Sequence, residues 1–270
     1  MRRKRKFENP QQFSPHVDED QFDGELRYGL HVVRAVLEQP ATQIIALWLD
    51  KSRINKGLQE IADLAHKRDL APLLVNREDL DILAPGACHQ GVIIRCLMQP
   101  AFTERGLFTL LANLKAPPFL LILDGVEDPH NLGACLRTAE AAGVHAVIAP
   151  KDRAVGLTPV VRKVSSGAAE RIPFIEVTNL ARLIDQLRTQ GLWLVGAVID
   201  EGESLYKIDL HGPLGLVLGA EDRGLRRLTR EYCDHLAHIP MYGTVGSLNV
   251  SVAAGVCLFE AQRQRIFSLS

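Results

Sequence analysis

The chain has 270 residues, 47% hydrophobic and 23% charged, which fits one large or two ordinary globular domains with a core that needs no staples. Its net charge of −1 excludes nucleic-acid binding through bulk charge, so any basic surface must be local. Five cysteines at irregular spacing, with no C-x-x-C pair, speak against a disulfide framework or a zinc site and for reduced core thiols in the cytoplasm. No apolar run reaches the length of a membrane span.

Residues 1–24 read as a charged tail. Arg2 to Lys6 is a basic run, and Asp18-Glu19-Asp20 follows with few large apolar residues to offset ordering. No apolar stretch stands behind the basic run, so a secretory signal is not expected. From 25 to 98 helical and strand patterns alternate. Leu30, Val33, Val36 and Leu37 recur at helical spacing, Ile44–Leu49 is strand-like, and Ile54, Leu58, Ile61 and Ala65 give a second helix. Leu73–Val75 and Val92–Leu97 read as further strands, so this part is a compact α/β module. His89-Gln90-Gly91 is a polar turn before the last strand. Residues 99–117, with Pro100, Gly106, Pro117 and Pro118, read as a linker with one small helix.

A second alternation fills 118–270. Strands are expected at Phe119–Leu123, Val144–Ala149, Ile172–Val177, Leu192–Ile199 and Leu214–Leu218. Helices are expected after Asn131, over Pro159–Ala169 and over Leu180–Leu187. This pattern is that of a mainly parallel sheet, which binds ligands at the carboxyl ends of its strands. Three polar, glycine-bearing loops fall at such ends: 124–133, 219–224 and 240–249.

The last loop runs into a helix with no charge before Glu260, expected to be buried nearly all round. Gly243 and Gly246 offer backbone freedom there, and Ser247 and Asn249 are good N-cap types. In the first loop, Arg137 follows Asn131 by six residues, nearly two helical turns, and is the cation of an otherwise apolar helix. In the second, Glu221 follows a buried strand. Arg223, Arg226, Arg227 and Arg230 come next at spacings that on one helix make a single stripe free of acids, with Leu225, Leu228 and Tyr232 opposite. Such a stripe suits phosphate. No dinucleotide fingerprint, P-loop, metal-ligand cluster or nucleophile elbow is present.

Three stretches together resemble a known family. Asn131-Leu-Gly-Ala-Cys-Leu-Arg137-Thr138, then Leu218-Gly-Ala-Glu221-Asp-Arg-Gly224, then Ile239-Pro-Met followed by Ser247-Leu-Asn249-Val-Ser-Val, resemble the motifs of the SpoU branch of the SPOUT RNA 2′-O-ribose methyltransferases. The resemblance runs over roughly 25–266 and includes Asp124 to Asn131, Tyr28-Gly29 and His89-Gln90-Gly91. It implies a C-terminal parallel-sheet domain tied in a trefoil knot, which ordinary topology rules exclude. It also implies a smaller N-terminal α/β RNA-binding domain like a ribosomal protein.

The implied activity is S-adenosylmethionine-dependent methylation of a guanosine ribose in 23S ribosomal RNA, by a cytoplasmic homodimer joined through the C-terminal domain. Ala253, Ala254 and Gly255 are small enough for close packing at such an interface. Arg137, Asn131, Glu221, Ser247 and Asn249 are the implied catalytic set. Gly219, Ile239, Met241, Leu248 and Asn249 are the implied cofactor contacts. Arg223, Arg226, Arg227, Arg230, His89 and Gln90 are the RNA contacts, and no metal is expected. Either Arg137, activated by an RNA phosphate, takes the 2′-hydroxyl proton, or it stays cationic and stabilises the forming alkoxide. The competing expectations are a transfer-RNA ribose methylase and a non-catalytic RNA-binding assembly factor.

Overall fold

A computed structural model describes residues 24–53, 55–97 and 101–267. Apart from Gly24, the expected tail lies outside these residues. The chain divides into two compact units. One holds the described residues up to Leu30 with 41–97; the other holds residues 31–40 with the described residues from 101 onward.

The first unit is built on a four-stranded mixed sheet. β1 (Glu25–Tyr28) and helix α1 (Leu30–Glu38) come first; α1 continues into the residues that group with the second unit. β2 (Ile44–Asp50), α2 (Lys56–His66), β3 (Leu73–Val75), α3 (Arg77–Leu83) and β4 (Val92–Cys96) follow. The strand order is β1-β4-β2-β3, with β2 and β3 parallel and the other pairs antiparallel. Asn55 caps α2 by accepting from the Leu58 amide at 2.9 Å, which satisfies an otherwise orphan donor. Trp48, Val75, Leu80, Ala84 and Ile93 form a core of their own. Two elements escape a reading by periodicity. β1 and α3 are too short for an apolar repeat to register.

The second unit begins with α4 (Glu104–Ala112), the small helix expected in the linker; its Leu107 is buried in this unit's core. β5 (Phe119–Asp124), α5 (Pro129–Ala141), β6 (Ala146–Pro150), α6 (Pro159–Val164), α7 (Ala168–Arg171), β7 (Phe174–Val177), α8 (Leu180–Thr189) and β8 (Trp193–Val198) follow. Then come β9 (Glu203–Ser204), β10 (Leu214–Gly219), α9 (Arg227–Glu231), β11 (His235–His238) and α10 (Val250–Phe267). The single helix expected over Pro159–Ala169 is two. Ser166 and Gly167 take φ of 52° and 91°, and no right-handed helix continues through such angles. β9 and β11 were not expected from the pattern.

The seven strands run in the order β7-β6-β5-β10-β8-β11-β9, and every pairing is parallel. β5 shows why. All six of its residues are buried. Phe119, Leu121 and Leu123 enter the core on one face, and Leu120 and Ile122 the core on the other. Each such side chain contributes roughly 1.5–3 kcal/mol on leaving water. β5 and β10 lie side by side at the centre of the sheet although the chain winds to both edges, so the crevice at their carboxyl ends is a switch point where ligands bind. All three polar loops open onto this edge.

The C-terminal helix is anchored at its far end by Arg265. Its guanidinium donates to the carbonyls of Pro118 at 3.1 Å and Gly212 at 2.6 Å and lies 4.3 Å from the Phe119 ring centroid. α10 is not buried nearly all round, as its lack of charge suggested. Ala254, Cys257, Leu258 and Ala261 are buried, but Val252, Phe259 and Ile266 are half or more exposed and form one stripe. An uncharged helix face records only that something apolar can cover it, and among the described residues nothing covers this stripe. Ala254 is already buried inside the chain, and Gly255 faces Thr138 of α5.

Candidate active site

Asp124 ends β5, and Asp128 caps α5 by accepting from the His130 amide at 2.8 Å. Pro129, which has no N–H to leave orphaned, starts the helix. This start turns Asn131 inward, with 8% of its surface exposed. The second loop is tighter. Ala220 and Gly224 form a bridge, with the Gly224 amide donating to the Ala220 carbonyl at 2.8 Å and Gly224 at φ +63°. A Cβ on Gly219 would lie 2.1 Å from the Gly224 carbonyl carbon, so no other residue fits there. In the third loop Asn249 caps α10, its Oδ1 accepting from the Ser251 amide at 2.9 Å and the Ser251 hydroxyl at 2.6 Å.

The three loops meet at one carboxylate. Glu221 Oε1 accepts from Asn131 Nδ2 at 2.9 Å, from Asn249 Nδ2 at 2.7 Å and from the Val250 amide at 3.4 Å, and Asn249 Nδ2 also donates to Asn131 Oδ1 at 3.0 Å. Beside this network is a cleft of about 470 Å³. Gly219, Ile239, Met241, Leu248 and Asn249 all line it, as do Glu221 and Ser247. A second, smaller cleft shares Ala220 to Arg223 and Val250 with the first, and Asn131 lines it. The volume and the mixed lining of the larger cleft, with Leu218, Ile239 and Leu248 beside Glu221 and Ser247, are those of a small-molecule site.

Other expected residues stand elsewhere. Arg137 is exposed on α5, donates to Ser166 Oγ at 3.4 Å and lines neither cleft. The four arginines do not form a helical stripe, because the tight second loop delays the helix until Arg227; Arg226 is its extended N-cap and Arg223 lies in the loop. Nor is the group free of acids. Arg223 pairs with Asp222 and Glu127, Arg226 with Asp124, Arg227 with Glu231 and Arg230 with Glu201. Leu228, expected to face inward, is 45% exposed, while Thr229 is buried in its place. In the first unit His89 is 3% exposed. Its Nδ1 accepts from the Gly91 amide at 3.1 Å and its Nε2 bonds Asp81 at 2.9 Å, so both ring nitrogens serve the turn. Gln90 is the exposed residue there, at φ +56°, and its Oε1 accepts from the Leu30 amide at 3.0 Å. Gly243 and Gly246 have ordinary φ, and a Cβ on either would meet open space, so this loop shape does not require glycine.

Two participants escaped the pattern. Residues 197–201, the end of β8 and the three residues after it, line the larger cleft at the same sheet edge, but no glycine-rich signature marks them. Asp124, 1% exposed, accepts from the Arg226 amide at 2.9 Å and ties the first loop to the second. Burial pushes the thiols of Cys135, Cys233 and Cys257 up to about 12, helped at Cys135 by the charge of Glu221, so these are not nucleophiles. Among the described residues no His, Cys, Asp and Glu cluster suits a metal ion, and no helix is long and apolar enough to cross a membrane.

A wholly parallel sheet with a small-molecule cleft and an Asn–Glu–Asn network at its switch point defines the class, and the chain belongs to the SpoU rRNA methylase family, whose pattern matches residues 118–259. Residues 26–100 match a second family pattern, RNA 2′-O ribose methyltransferase substrate binding. Among its relatives, the 23S rRNA (guanosine-2′-O-)-methyltransferase RlmB of Coxiella burnetii is 51% identical, over 88% of this chain and 95% of that one. The protein of the same name from Escherichia coli K12 is 50% identical, over 89% and 99%. Of solved structures, the SpoU methyltransferase AviRb from Streptomyces viridochromogenes, in complex with the cofactor AdoMet, superposes with a TM-score of 0.73 at 25% identity, covering 90% of this chain and 91% of that one.

Proposed function

We propose that this protein transfers a methyl group from S-adenosylmethionine to the 2′-oxygen of a guanosine ribose in 23S ribosomal RNA, as a cytoplasmic homodimer. The observation that carries this is the meeting of three distant loops at Glu221 Oε1, beside a cleft of about 470 Å³ lined by the residues the family motifs single out. Relatives that share half of its residues over nearly the whole chain bear the name of this activity. The match of residues 26–100 to an RNA-substrate-binding pattern supports an RNA acceptor, and the names of the relatives favour ribosomal RNA.

The cleft fits the cofactor chemically. Leu218, Ile239 and Leu248 offer apolar contact to an adenine, and the backbone of 219–220 together with Ser247 and Asn249 offers polar groups for its sugar and amino-acid end. When bound, the cofactor supplies an electrophilic methyl on a sulfonium sulfur. The chain supplies position and charge. Glu221 and the two asparagines lock the edge shared by both clefts, which holds the acceptor ribose against the larger one. The 2′-hydroxyl passes its proton to solvent as its oxygen bonds the methyl carbon and the sulfur–methyl bond breaks, and a guanidinium, which stays protonated, stabilises the negative charge developing on that oxygen. We assign that task to Arg137 acting on the cleft of the partner copy, since it lines neither of the two clefts that meet at Glu221. The exposed stripe of Val252, Phe259 and Ile266 is the surface the two copies would share. A knotted threading of 239–267 belongs to the same proposal.

Mapping ribose methylation across 23S rRNA from a deletion strain tests the proposal. One guanosine should lose its 2′-O-methyl group and regain it when the wild-type gene is restored. An unchanged methylation pattern would refute it.

A further inference from the structure

The smaller cleft, of about 250 Å³, has the scale of one nucleoside rather than of a larger ligand. Glu221 and Asn131, which hold the ribose in the proposed reaction, line it together with Glu127, Asp128 and Arg223. Four carboxylates line it, and three are committed. Glu221 Oε1 holds the loop network, Asp128 Oδ1 caps α5, and Asp222 Oδ2 accepts from Arg223 Nε at 2.9 Å. Glu127 differs. It is 57% exposed, and the partner of its Oε1 is the Arg223 Nη2 at the long distance of 3.3 Å. A carboxylate and a guanidinium thus stand side by side in a cleft of nucleoside size.

We infer that Glu127 and Arg223 read the base of the acceptor nucleotide and select guanine; the inference rests on the methyltransferase function proposed above. Guanine presents on one edge two donors, N1–H and the 2-amino group, followed by the O6 acceptor. The Glu127 carboxylate accepts the pair of donors and the Arg223 guanidinium donates to O6, each through charge-assisted bonds. Adenine reverses this edge, setting a lone pair at N1 against the carboxylate and an amine against the guanidinium. Rejection is therefore as much repulsion as lost bonding. A base turned out of an RNA loop exposes the edge such a pair reads.

The test uses the full-length protein and a synthetic fragment of 23S rRNA centred on the mapped nucleotide, carrying guanosine, inosine or adenosine there. Single-turnover methyl transfer is measured for each, and calorimetry with S-adenosylmethionine monitors the fold. For the wild type we expect inosine, which lacks the 2-amino group, to react about tenfold slower than guanosine, and adenosine about a hundredfold slower or more. Glu127→Gln keeps the shape but turns one acceptor into a donor. It should slow guanosine and bring the guanosine-to-inosine ratio to within about twofold of one, whereas Glu127→Asp should keep the preference over adenosine. A wild-type enzyme indifferent to the 2-amino group overturns the inference without any variant. So does a Glu127→Gln variant that slows all three RNAs equally, since a merely structural ion pair would behave that way. If the wild type methylates none of the RNAs, the methyltransferase proposal falls too; transfer with unaltered base preference sinks the base-reading role alone.

Discussion

Asn131 and Asn249 stand 118 residues apart in the chain, yet Nδ2 of Asn249 donates to Oδ1 of Asn131 at 3.0 Å, and both side chains bond the same oxygen of Glu221. A polar network whose members come from three loops fixes those loops relative to one another. Asn249 also caps α10, so one side chain serves both the fold and the site. Asn249→Ala should cost about 1 kcal/mol as a lost cap, lowering the melting temperature by roughly 2–4 °C. Methyl transfer should fall much further, by about a hundredfold. Thermal melts and single-turnover rates on one preparation separate the two effects; equal loss in both would reduce Asn249 to a cap.

Arg137, itself exposed, makes one long bond to the half-buried Ser166, so Arg137→Lys should leave folding and cofactor affinity intact. Turnover should drop by about a hundredfold, as when one positioned charge stabiliser is removed. Lysine keeps the charge but lacks the planar fork. A near-normal single-turnover rate would leave Arg137 with no more than general positive charge.

If Arg137 serves the partner's cleft, mixing two inactive proteins restores activity. A heterodimer of Arg137→Lys with Glu221→Gln carries one site with both native residues. Activity should return to roughly a quarter of the wild-type level after the subunits are exchanged, since about half the dimers are mixed and each has one intact site. No recovery would place Arg137 in the cleft of its own chain.

The exposed stripe of α10 gives a direct reading of assembly. Val252→Asp together with Phe259→Asp puts charge where apolar side chains are half exposed. In one chain these changes cost little, whereas in an interface core each leaves a buried charge. If the wild type sediments as the proposed dimer, the double variant should sediment as a monomer at the same concentration with its circular dichroism unchanged; a variant that stays dimeric would place the interface elsewhere.

The arginines of the second loop divide by their partners. Arg226 Nε lies 3.3 Å from Oδ1 of the buried Asp124, so Arg226→Gln should lower stability by roughly 1–3 kcal/mol, read from denaturant midpoints. Arg227 and Arg230 pair with exposed glutamates at the surface, and such pairs are worth little. Replacing both by Gln should spare stability and reduce the slope of log affinity against log salt by about 0.7 for each single-stranded RNA phosphate no longer neutralised. An unchanged slope would make them a solvated surface.

What the sequence alone determined were the local quantities: strands buried on both faces, loops rich in glycine and polar residues, and the residue types a phosphate- and ribose-handling site needs. β5 could be read because all of its residues are apolar except the last, and an apolar run of that length is buried on both faces wherever it lies. Asn131, Glu221, Ser247 and Asn249 were legible as one constellation because three motifs in order carry them, not because their spacing shows that they meet. Only the tertiary structure decided which charges are free. The arginine series looked like a phosphate stripe on a helical wheel, yet the Ala220–Gly224 turn keeps two of the four off the helix and brings an acid to each. His89 looked like a surface contact, yet the turn buries it. α10 looked buried nearly all round, yet Val252, Phe259 and Ile266 are half or more exposed. In each case the residue type sets what a side chain can do, while long-range packing sets what stands opposite it, and the interaction belongs to the pair.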